Sequence, residues 1–346
     1  MKKVLVLFGG MSTEHEVSRV SASYVLQNIK KDKFEVGVVG IDKDGTFLEY
    51  VGKYEDIPGD NWKNYTKEIP DLVSYIKEYD VAFPVLHGLY GEDGTIQGLF
   101  ELLKIPYVGC KVLASSVAMD KIYTKIVFDR AGIKQTPSAY VKVLNDEIIL
   151  VEDNFEEITD EYGIFEKLEK KLGYPMFIKP SNSGSSVGVC KAKNRAELVS
   201  GINEAKKYDR KLVIEKGINC REIECAVLET AGEVKASILG EILPAGEFYS
   251  YESKYEDENS GTLIPARLDE DVSNFIRDTA VKAFKSIDGS GLSRVDFFVD
   301  KDTNEIYLNE INTLPGFTSI SMYPKLWEKT GIPYADLIDC LIENAS

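Results

Sequence analysis

Strand-like and helical patterns alternate along the first hundred residues of this chain, and this alternation narrows the possible folds more than any other feature. Lys3–Phe8, Phe34–Ile41 and Asp80–Leu86 are almost continuous apolar runs. Such runs are typical of strands that are covered on both faces. Because segments with helical spacing separate the runs, we expect a parallel α/β sheet in the N-terminal part.

The first helix is indicated by a glycine turn and by the spacing of apolar residues. Val17, Val20 and Tyr24 occupy positions that share one helical face. Thr13 and Glu16 have the spacing of a capping box, which predicts the start of this helix. Similar patterns predict further helices over Thr95–Leu103, Leu113–Ala131, Asn194–Tyr208, Asp269–Ile287 and Tyr334–Ile342.

The rest of the chain is richer in strand patterns, which favours α+β organisation. The acidic segment from Lys142 to Lys171 carries many carboxylates, and we predict a solvated loop followed by a surface helix. A chain of 346 residues is too long for one core, so we place domains at 1–112, 113–212 and 213–346. The predicted strands are Pro106–Val108, Tyr174–Lys179, Lys211–Glu215, Glu222–Leu228, Val234–Ile242, Arg294–Val299 and Glu305–Asn309.

The charge and the cysteine content exclude several classes of protein. A formal net charge of -16 would repel phosphates over most of the surface, which argues against nucleic-acid or anionic-membrane binding. A phosphate-bearing ligand would therefore need lysines gathered locally. The five cysteines form no Cys-x-x-Cys pair, so neither a disulfide framework nor a structural zinc site is expected. Because no run of about 18 apolar residues occurs, we expect no membrane span and a cytoplasmic protein.

Two glycine-rich loops follow predicted strands and are candidates for binding a charged ligand. Residues 9–18 read G-G-M-S-T-E-H-E-V-S, and residues 87–94 read H-G-L-Y-G-E-D-G. Glu14 and Glu16 suit a ligand ammonium better than a pyrophosphate, although both also fit a simple capping role. Both histidines of the chain flank these loops, which favours a function for His87. A dinucleotide site is disfavoured because the first loop lacks G-x-G-x-x-G.

A third loop is rich in hydroxyl groups and follows a lysine on a predicted strand. Residues 179–188 read K-P-S-N-S-G-S-S-V-G, which does not match the Walker pattern. The backbone N–H and hydroxyl groups of such a loop can close over phosphates. A flexible linker is the alternative interpretation.

A cluster of polar side chains is predicted near the C-terminal end. Arg294 and Asp296 share one face of a strand, and Glu310 and Asn312 share one face of the next. If these strands pair, their oxygen atoms form a set that suits Mg²⁺ bound together with phosphates. A ladder of surface salt bridges is the alternative. The turn at 313–319 then offers backbone N–H groups.

In their order along the chain, these motifs resemble those of the D-alanine–D-alanine ligases, a family of the ATP-grasp class. The match runs from residue 4 to about 325. Besides the three loops, it includes T-I-Q-G at 95–98, M-D-K at 119–121, E-K at 215–216, K-Y at 254–255, S-R-V-D-F at 293–297 and N-E-I-N-T-L-P-G-F-T at 309–318.

The resemblance implies an ATP-grasp fold, in which an N-terminal parallel α/β domain precedes two α+β domains that clamp ATP. It also implies the reaction of the family. ATP phosphorylates the carboxylate of a first D-alanine, and the amine of a second D-alanine attacks the acyl phosphate to give D-alanyl-D-alanine for peptidoglycan precursors. The implied cofactors are ATP and two Mg²⁺ ions, which Mn²⁺ can replace, and a homodimer is expected.

The resemblance also implies a role for individual residues. The first substrate would be bound by Glu14, Ser185, Tyr255 and His87, and the oxyanion by Arg294 and the backbone N–H of Gly316. The second substrate would meet Ser321 and Met322, and Lys254 of the loop at 251–265 would face the phosphates beside the bound substrates. ATP would be bound by Lys121, Lys179, Ser186, Glu215, Lys216 and Glu222, and the metal ions by Asp296, Glu310 and Asn312.

The choice of the second substrate depends on few residues. Lys254 and Tyr255 favour an amine-bearing D-alanine, and the apolar Met322 suits its methyl group. Ligases of the same fold that use D-serine or D-lactate are the alternative. A non-catalytic nucleotide-binding protein is disfavoured because Arg294 and the metal ligands are all present, and a Rossmann-type oxidoreductase because its fingerprint is absent.

Overall fold

The computed structural model describes residues 1–243 and 261–346, which form three sheets with flanking helices. Lys254 and Tyr255, for which roles are predicted, lie outside the described residues. The strands are β1 (Lys2–Gly9), β2 (Phe34–Ile41), β3 (Phe47–Tyr50), β4 (Thr66–Glu68), β5 (Val81–Pro84), β6 (Ser138–Leu144), β7 (Glu147–Val151), β8 (Glu157–Ile158), β9 (Met176–Pro180), β10 (Cys190–Ala192), β11 (Lys211–Lys216), β12 (Cys220–Thr230), β13 (Glu233–Leu243), β14 (Gly261–Leu263), β15 (Leu292–Asp300) and β16 (Ile306–Asn312). The α-helices are α1 (His15–Asn28), α2 (Leu72–Ile76), α3 (Thr95–Leu103), α4 (Val112–Met119), α5 (Lys121–Arg130), α6 (Glu161–Leu172), α7 (Arg195–Ala205), α8 (Glu270–Ser286), α9 (Met322–Thr330) and α10 (Tyr334–Glu343).

The first sheet has the order β4-β3-β2-β1-β5 and contains the predicted parallel strands. β1 pairs in parallel with β2 and β5, whereas β3 and β4 add an antiparallel edge. Val4, Val6 and Phe8 of β1 pack into one apolar cluster, while Leu5 and Leu7 pack into another. Because alternate residues of a strand face opposite sides of the sheet, the two clusters explain the continuous apolar run. The predicted parallel α/β arrangement is confirmed.

Helix α1 forms where it was predicted, but its buried face and its start differ from the prediction. Val20 is 43% exposed, whereas Ser18 and Ser21 are fully buried. The predicted capping box is not formed, since Glu14 occupies the N-cap position and makes no side-chain cap hydrogen bond. Its carboxylate instead accepts a hydrogen bond from Ser185. The buried face of α1 therefore includes small polar residues, which a prediction based on the spacing of apolar residues does not identify.

The acidic segment is folded, which contradicts the predicted loop. β6, β7 and β8 pair in sequence within an antiparallel sheet of order β10-β9-β11-β6-β7-β8. Asn145 and Asp146, between β6 and β7, have φ values of 50° and 65°, as two-residue hairpin turns require. Ile149, Leu150 and Val151 are buried. The carboxylates belong to turns and exposed strand positions around this apolar core, and the predicted surface helix follows as α6.

The helix predicted over 113–131 is interrupted at Asp120. α4 ends at Met119 and α5 begins at Lys121. Asp120 has an extended backbone, and its carboxylate accepts hydrogen bonds from the backbone N–H groups of Ile122 and Tyr123. Asp120 is therefore the N-cap of a new helix, and Lys121 takes the first position in it.

The third sheet is antiparallel, with the order β14-β13-β12-β15-β16, in agreement with the strand-rich pattern of this part. Helices α9 and α10 carry Leu326, Trp327 and Ile338 into the same apolar cluster as Val6 of β1 and Leu228 of β12, so one core joins the C-terminal helices to the first and third sheets. The strand predicted over Pro106–Val108 is reduced to an isolated bridge at Tyr107.

The division of the chain into 1–112, 113–212 and 213–346 stays a prediction. The second cut falls inside β11 (Lys211–Lys216), which pairs with β6 and β9 in the second sheet. Among the helices of residues 1–243 and 261–346, none is long and apolar enough to cross a membrane.

Candidate functional site

Loops from all three sheets line one open cavity with a volume of about 160 Å³. β1 and β5 are parallel neighbours, so the glycine-rich loops that follow them meet at the same edge of the first sheet. The predicted site residues that line this cavity are Glu14, His87, Lys121, Lys179, Ser185, Glu215, Arg294, Glu310, Asn312, Gly316, Ser321 and Met322. Within the described ranges, Ser186, Lys216, Glu222 and Asp296 are not part of the lining.

Glu14 lies where two loops meet. Its side chain is buried, and its carboxylate accepts a hydrogen bond from the Ser185 hydroxyl. A Cβ added to Gly88 would lie 2.6 Å from Glu14 Oε2, and one added to Gly184 would lie 2.7 Å from the same atom. Glycine at both positions therefore makes room for this carboxylate, which points into the cavity instead of capping α1.

The loop of residues 181–188 is attached to the start of α5. The backbone N–H of Lys121 donates to the Ser181 carbonyl over 3.1 Å, and its ammonium donates to the Ser183 carbonyl. Ser185 and Ser186 have φ values of 49° and 60°, in the left-handed region that serine rarely adopts. Such backbone conformations persist where the surroundings enforce them, and they are frequent at ligand sites.

Two lysines surround one buried carboxylate. Lys125 Nζ lies 2.7 Å from Glu215 Oε1, and Lys179 Nζ lies 2.6 Å from Glu215 Oε2. Burial by itself would raise the pKa of Glu215, but the two ammonium groups lower it to about 2. Two ammonium groups are thus held side by side within an acidic chain. This pair is the local concentration of lysine that the net charge requires for a phosphate ligand.

The register of the third sheet brings the predicted carboxylate cluster together. Glu224 of β12 lies opposite Asp296 of β15, which in turn lies opposite Glu310 of β16, and Arg294 lies opposite Asn312. The Arg294 guanidinium donates to both carboxylate oxygens of Asp296, over 2.7 and 2.6 Å, and lies 3.0 Å from Glu224 Oε2. The neighbouring carboxylates raise the pKa of Arg294 against the effect of burial. Its charge is therefore permanent.

The donor atoms of this cluster fit Mg²⁺ better than a transition metal. The three predicted ligands are oxygen donors, whereas many transition-metal sites use histidine or cysteine. Mg²⁺ is instead usually held by one or two carboxylates together with phosphate oxygens. Asp296, Glu310 and Asn312 offer two carboxylates and one amide oxygen on adjacent strands, and Asn312 already donates to Asp296 Oδ2 over 3.1 Å.

His87 is buried, and both of its ring nitrogens have partners. Nδ1 lies 3.0 Å from the Leu314 carbonyl and Nε2 lies 3.0 Å from the Ser21 hydroxyl. Since a carbonyl can only accept, Nδ1 carries the proton and Nε2 accepts from Ser21. Burial lowers the pKa of His87, which favours this neutral ring. The predicted contact with a substrate carboxylate would require one of these bonds to be exchanged.

Ser321 and Met322 lie at the start of α9. The Ser321 hydroxyl accepts from the backbone N–H of Thr318 over 3.0 Å and lies 2.8 Å from the Thr318 hydroxyl. Met322 is buried, and its sulfur would lie 2.5 Å from a Cβ added to Gly240. Met322 thus presents an apolar wall to the cavity.

Three charged residues of the cavity lining were not given a role from the sequence, namely Glu92, Lys125 and Glu224. Glu92 belongs to the second glycine-rich loop, and burial followed by the charge of Glu14 raises its pKa to about 8. Lys125 follows Lys121 by one helical turn, and Glu224 shares a strand face with Glu222. Lys125 and Glu224 could therefore have been found by extending the predicted site along the same helix face from Lys121 and the same strand face from Glu222.

Family models match most of the chain. The N-terminal model of the D-ala D-ala ligases matches residues 3–110, and the C-terminal model matches residues 138–343. The chain is 53% identical to a D-alanine–D-alanine ligase from Clostridium acetobutylicum, with 100% of this chain and 98% of the relative covered. It is 52% identical to one from Acetivibrio thermocellus, with 99% and 96% covered.

Solved structures give the same result for the fold. The VanG D-Ala:D-Ser ligase from Enterococcus faecalis superposes with a TM-score of 0.85 at 37% identity, and 99% of this chain and 98% of that chain are covered. A D-alanine–D-alanine ligase from Coxiella burnetii superposes with a TM-score of 0.84 at 35% identity, with 99% and 93% covered. These similarities confirm the fold class predicted from the sequence.

Proposed function

The chain belongs to the D-alanine–D-alanine ligase family, and from this membership we propose that it joins two D-alanine molecules into D-alanyl-D-alanine at the expense of ATP. One observation carries the proposal: a carboxylate site for an ammonium, a group of lysines and a cluster of metal-type oxygens line the same cavity. An amino-acid substrate needs the first, the phosphates of ATP need the second, and Mg²⁺ needs the third.

The phosphates of ATP would lie against Lys121, Lys125 and Lys179. Lys125 and Lys179 are held by Glu215 in this structure, so their side chains are already directed to one place. Fixed ammonium groups stabilise the charge of a transferring phosphoryl group. In the proposed complex, Ser186 lies near the phosphates, and Lys216 and Glu222 lie along the adenine and ribose.

Asp296, Glu310 and Asn312 would hold Mg²⁺, in two ions, with Mn²⁺ as a substitute. The metal would neutralise charge on the phosphates of bound ATP. Arg294 keeps the Asp296 carboxylate oriented through two hydrogen bonds. Preorganisation of this kind fixes a ligand before the ion arrives.

The chain's own groups supply the remaining steps. Glu14, held by Ser185, binds the ammonium of the first D-alanine and orients its carboxylate toward ATP. A carboxylate is a poor electrophile, so its phosphorylation provides the leaving group for attack by the second amine. The Arg294 guanidinium and the Gly316 backbone N–H would then stabilise the oxyanion of the tetrahedral intermediate.

D-Alanine is the proposed second substrate. Met322 is buried against Gly240 and gives the acceptor site an apolar wall that suits a methyl group. D-Serine is the second candidate, because the chain is also similar to a D-Ala:D-Ser ligase, and D-lactate is the third. A homodimer, a cytoplasmic location and a role in peptidoglycan-precursor synthesis belong to the same proposal.

The proposal is tested by measuring phosphate release from ATP with D-alanine and Mg²⁺, with D-serine and D-lactate as competing acceptors. Mass spectrometry of the products should show D-alanyl-D-alanine in a one-to-one ratio with phosphate. A product dominated by D-alanyl-D-serine or D-alanyl-D-lactate would contradict the proposed acceptor. Absence of phosphate release with all three acceptors would contradict the proposed function.

A further inference from the structure

The backbone of residues 314–317 is fixed from both sides by groups of the first sheet. The backbone N–H of Leu314 donates to Glu92 Oε1 over 3.0 Å, and its carbonyl accepts from His87 Nδ1 over 3.0 Å. The backbone N–H of Phe317 donates to the Ser21 hydroxyl over 3.3 Å. Between these two points the chain has only Pro315 and Gly316.

These hydrogen bonds form one connected network. The Ser21 hydroxyl accepts from Phe317 and donates to His87 Nε2, so the two ends of the segment are linked through a single imidazole. Glu92 is linked to the same loop through its other oxygen, which accepts from the Gly88 backbone N–H over 2.7 Å. Gly88 in turn makes room for the carboxylate of Glu14. The network therefore runs from the ammonium site to the oxyanion site.

Few backbone torsion angles remain free between Leu314 and Phe317. The ring of Pro315 fixes its own φ. A Cβ added to Gly316 would lie 2.8 Å from the Ser321 hydroxyl oxygen, so the glycine backbone passes close to the start of α9. Hydrogen bonds hold the backbone N–H and carbonyl of Leu314 and the N–H of Phe317. These three bonds therefore set the direction of the Gly316 N–H.

We propose that Ser21 and Glu92 are positioning residues, which act through His87 and the backbone of residues 314–317 to aim the Gly316 N–H at the oxyanion. The inference rests on the proposed function, since it assigns the Gly316 N–H to the tetrahedral intermediate. Ser21 is fully buried, 0% exposed, on the face of α1 turned to this segment, so it touches no substrate. Its effect on catalysis would pass entirely through the network.

The chain offers a matched control for Ser21. Ser23 lies on the same helix, is also buried, and also uses its hydroxyl in two hydrogen bonds, to the Tyr54 carbonyl and from the Gln27 amide. Neither partner belongs to the network. Ser21→Ala and Ser23→Ala therefore remove similar bonds from one helix, and alanine keeps the helix.

The experiment compares wild type, Ser21→Ala and Ser23→Ala in steady-state kinetics and thermal melting. We expect kcat to fall about tenfold or more in Ser21→Ala. Removal of one oxyanion donor lowers kcat about 10²–10³-fold, and a misdirected Gly316 N–H should lower it by a smaller factor. The Kd of ATP and the KM of the first D-alanine should stay within about twofold, because the network acts on the tetrahedral intermediate. A variant that weakened binding of the substrates themselves would instead raise KM. Ser23→Ala should keep the wild-type kcat with a similar fall in Tm.

A phosphinate analogue of the dipeptide gives a second readout, because its tetrahedral phosphorus carries an oxygen at the oxyanion position. Its inhibition constant should rise about tenfold in Ser21→Ala and not in Ser23→Ala. Glu92→Gln is a second variant: Gly88 and Leu314 donate to different oxygens of Glu92, so in glutamine one of these N–H groups would face an NH₂ group, which cannot accept. It should show the same loss of kcat and of analogue binding.

The outcomes separate this inference from the proposed function. If wild type makes D-alanyl-D-alanine but Ser21→Ala and Glu92→Gln behave as Ser23→Ala does, the positioning role is refuted and the function stands. If wild type makes no dipeptide, the proposed function fails first, and the role assigned to the Gly316 N–H fails with it.

Discussion

Replacement of Glu215 by glutamine should destabilise the protein strongly in the absence of nucleotide. Its carboxylate is 4% exposed and neutralises Lys125 and Lys179. Burial opposes the charged form, but the two lysines lower the pKa from 4.5 to about 2. A difference of about 2.5 units corresponds to about 3 kcal/mol at neutral pH. Glutamine leaves both ammonium groups buried without a counter-charge, so we expect a loss of about that size.

The sign of the pH dependence follows from the lowered pKa. A carboxyl group whose pKa falls on folding stabilises the fold fully above its unfolded value, and this contribution is lost as the pH falls toward the folded value. The difference between wild type and Glu215→Gln should therefore be about 3 kcal/mol at pH 7 and about 2 kcal/mol at pH 3.5. Urea unfolding at both pH values, followed by circular dichroism, measures it.

Nucleotide gives the sharper test of this reasoning. Phosphates of bound ATP would supply the negative charge that the glutamine variant lacks, so saturating ATP should narrow the stability gap between wild type and variant. Glu241→Gln is the control, because Glu241 is a buried carboxylate paired with Arg221 outside the cavity. Its destabilisation should not depend on ATP. A gap below about 1 kcal/mol at pH 7, or the same gap with and without ATP, would refute the argument.

Three further changes test other parts of the site. Arg294→Lys should lower kcat about 100-fold in steady-state kinetics, because a lysine ammonium cannot keep the paired hydrogen bonds to Asp296 and also hold a fixed N–H group toward the oxyanion; an unchanged kcat would count against the oxyanion role. Glu310→Gln should nearly abolish turnover and shift the Mg²⁺ titration of ATP binding to higher concentration; wild-type metal dependence would remove Glu310 from the metal site. Gly184→Ala places a Cβ 2.7 Å from Glu14 Oε2 and should raise the KM of the first D-alanine more than about tenfold, whereas Gly98→Ala, with open space around it, should not. Equal KM values for the two glycine variants would show that Glu14 does not bind the ammonium.

The parts of the fold that follow from periodic apolar patterns could be predicted from the sequence. β1 and β2 and helix α3 lie where their patterns placed them, because each buries a continuous run or one clear face. Helix α1 also forms, yet its buried side contains Ser18 and Ser21, whose hydroxyl groups bond to backbone groups and, for Ser21, to the His87 ring. Apolar spacing gives no signal for a buried serine.

The errors have local causes. Asn145 and Asp146 form a turn with positive φ, a signal that the acidic composition of the segment concealed. Asp120 ends one helix and caps the next, although nothing in the apolar period changes at that position. A turn conformation determines the structure at the first position, and a polar capping side chain determines it at the second. The spacing of apolar residues carries no information about turns or caps.

The residues of the candidate site could be predicted from the sequence, but the hydrogen bonds and ion pairs between them could not. Resemblance to a family selected Glu14, Lys179 and Arg294, which the structure brings to one cavity. The bonds that hold them come from residues far apart in the sequence. Glu92, for example, meets Leu314 across 222 positions of the chain. Such contacts depend on how the three sheets are arranged, which no single motif contains.

The central claim is that this cavity transfers phosphate from ATP to the carboxylate of D-alanine. It is tested most directly with D-alanine whose carboxylate oxygens are labelled with ¹⁸O. If an acyl phosphate forms and the second amine displaces it, each phosphate released should carry one labelled oxygen, and dipeptide should appear in equal amount. Release of unlabelled phosphate would mean that the carboxylate oxygen never bonds to phosphorus, and it would contradict the account.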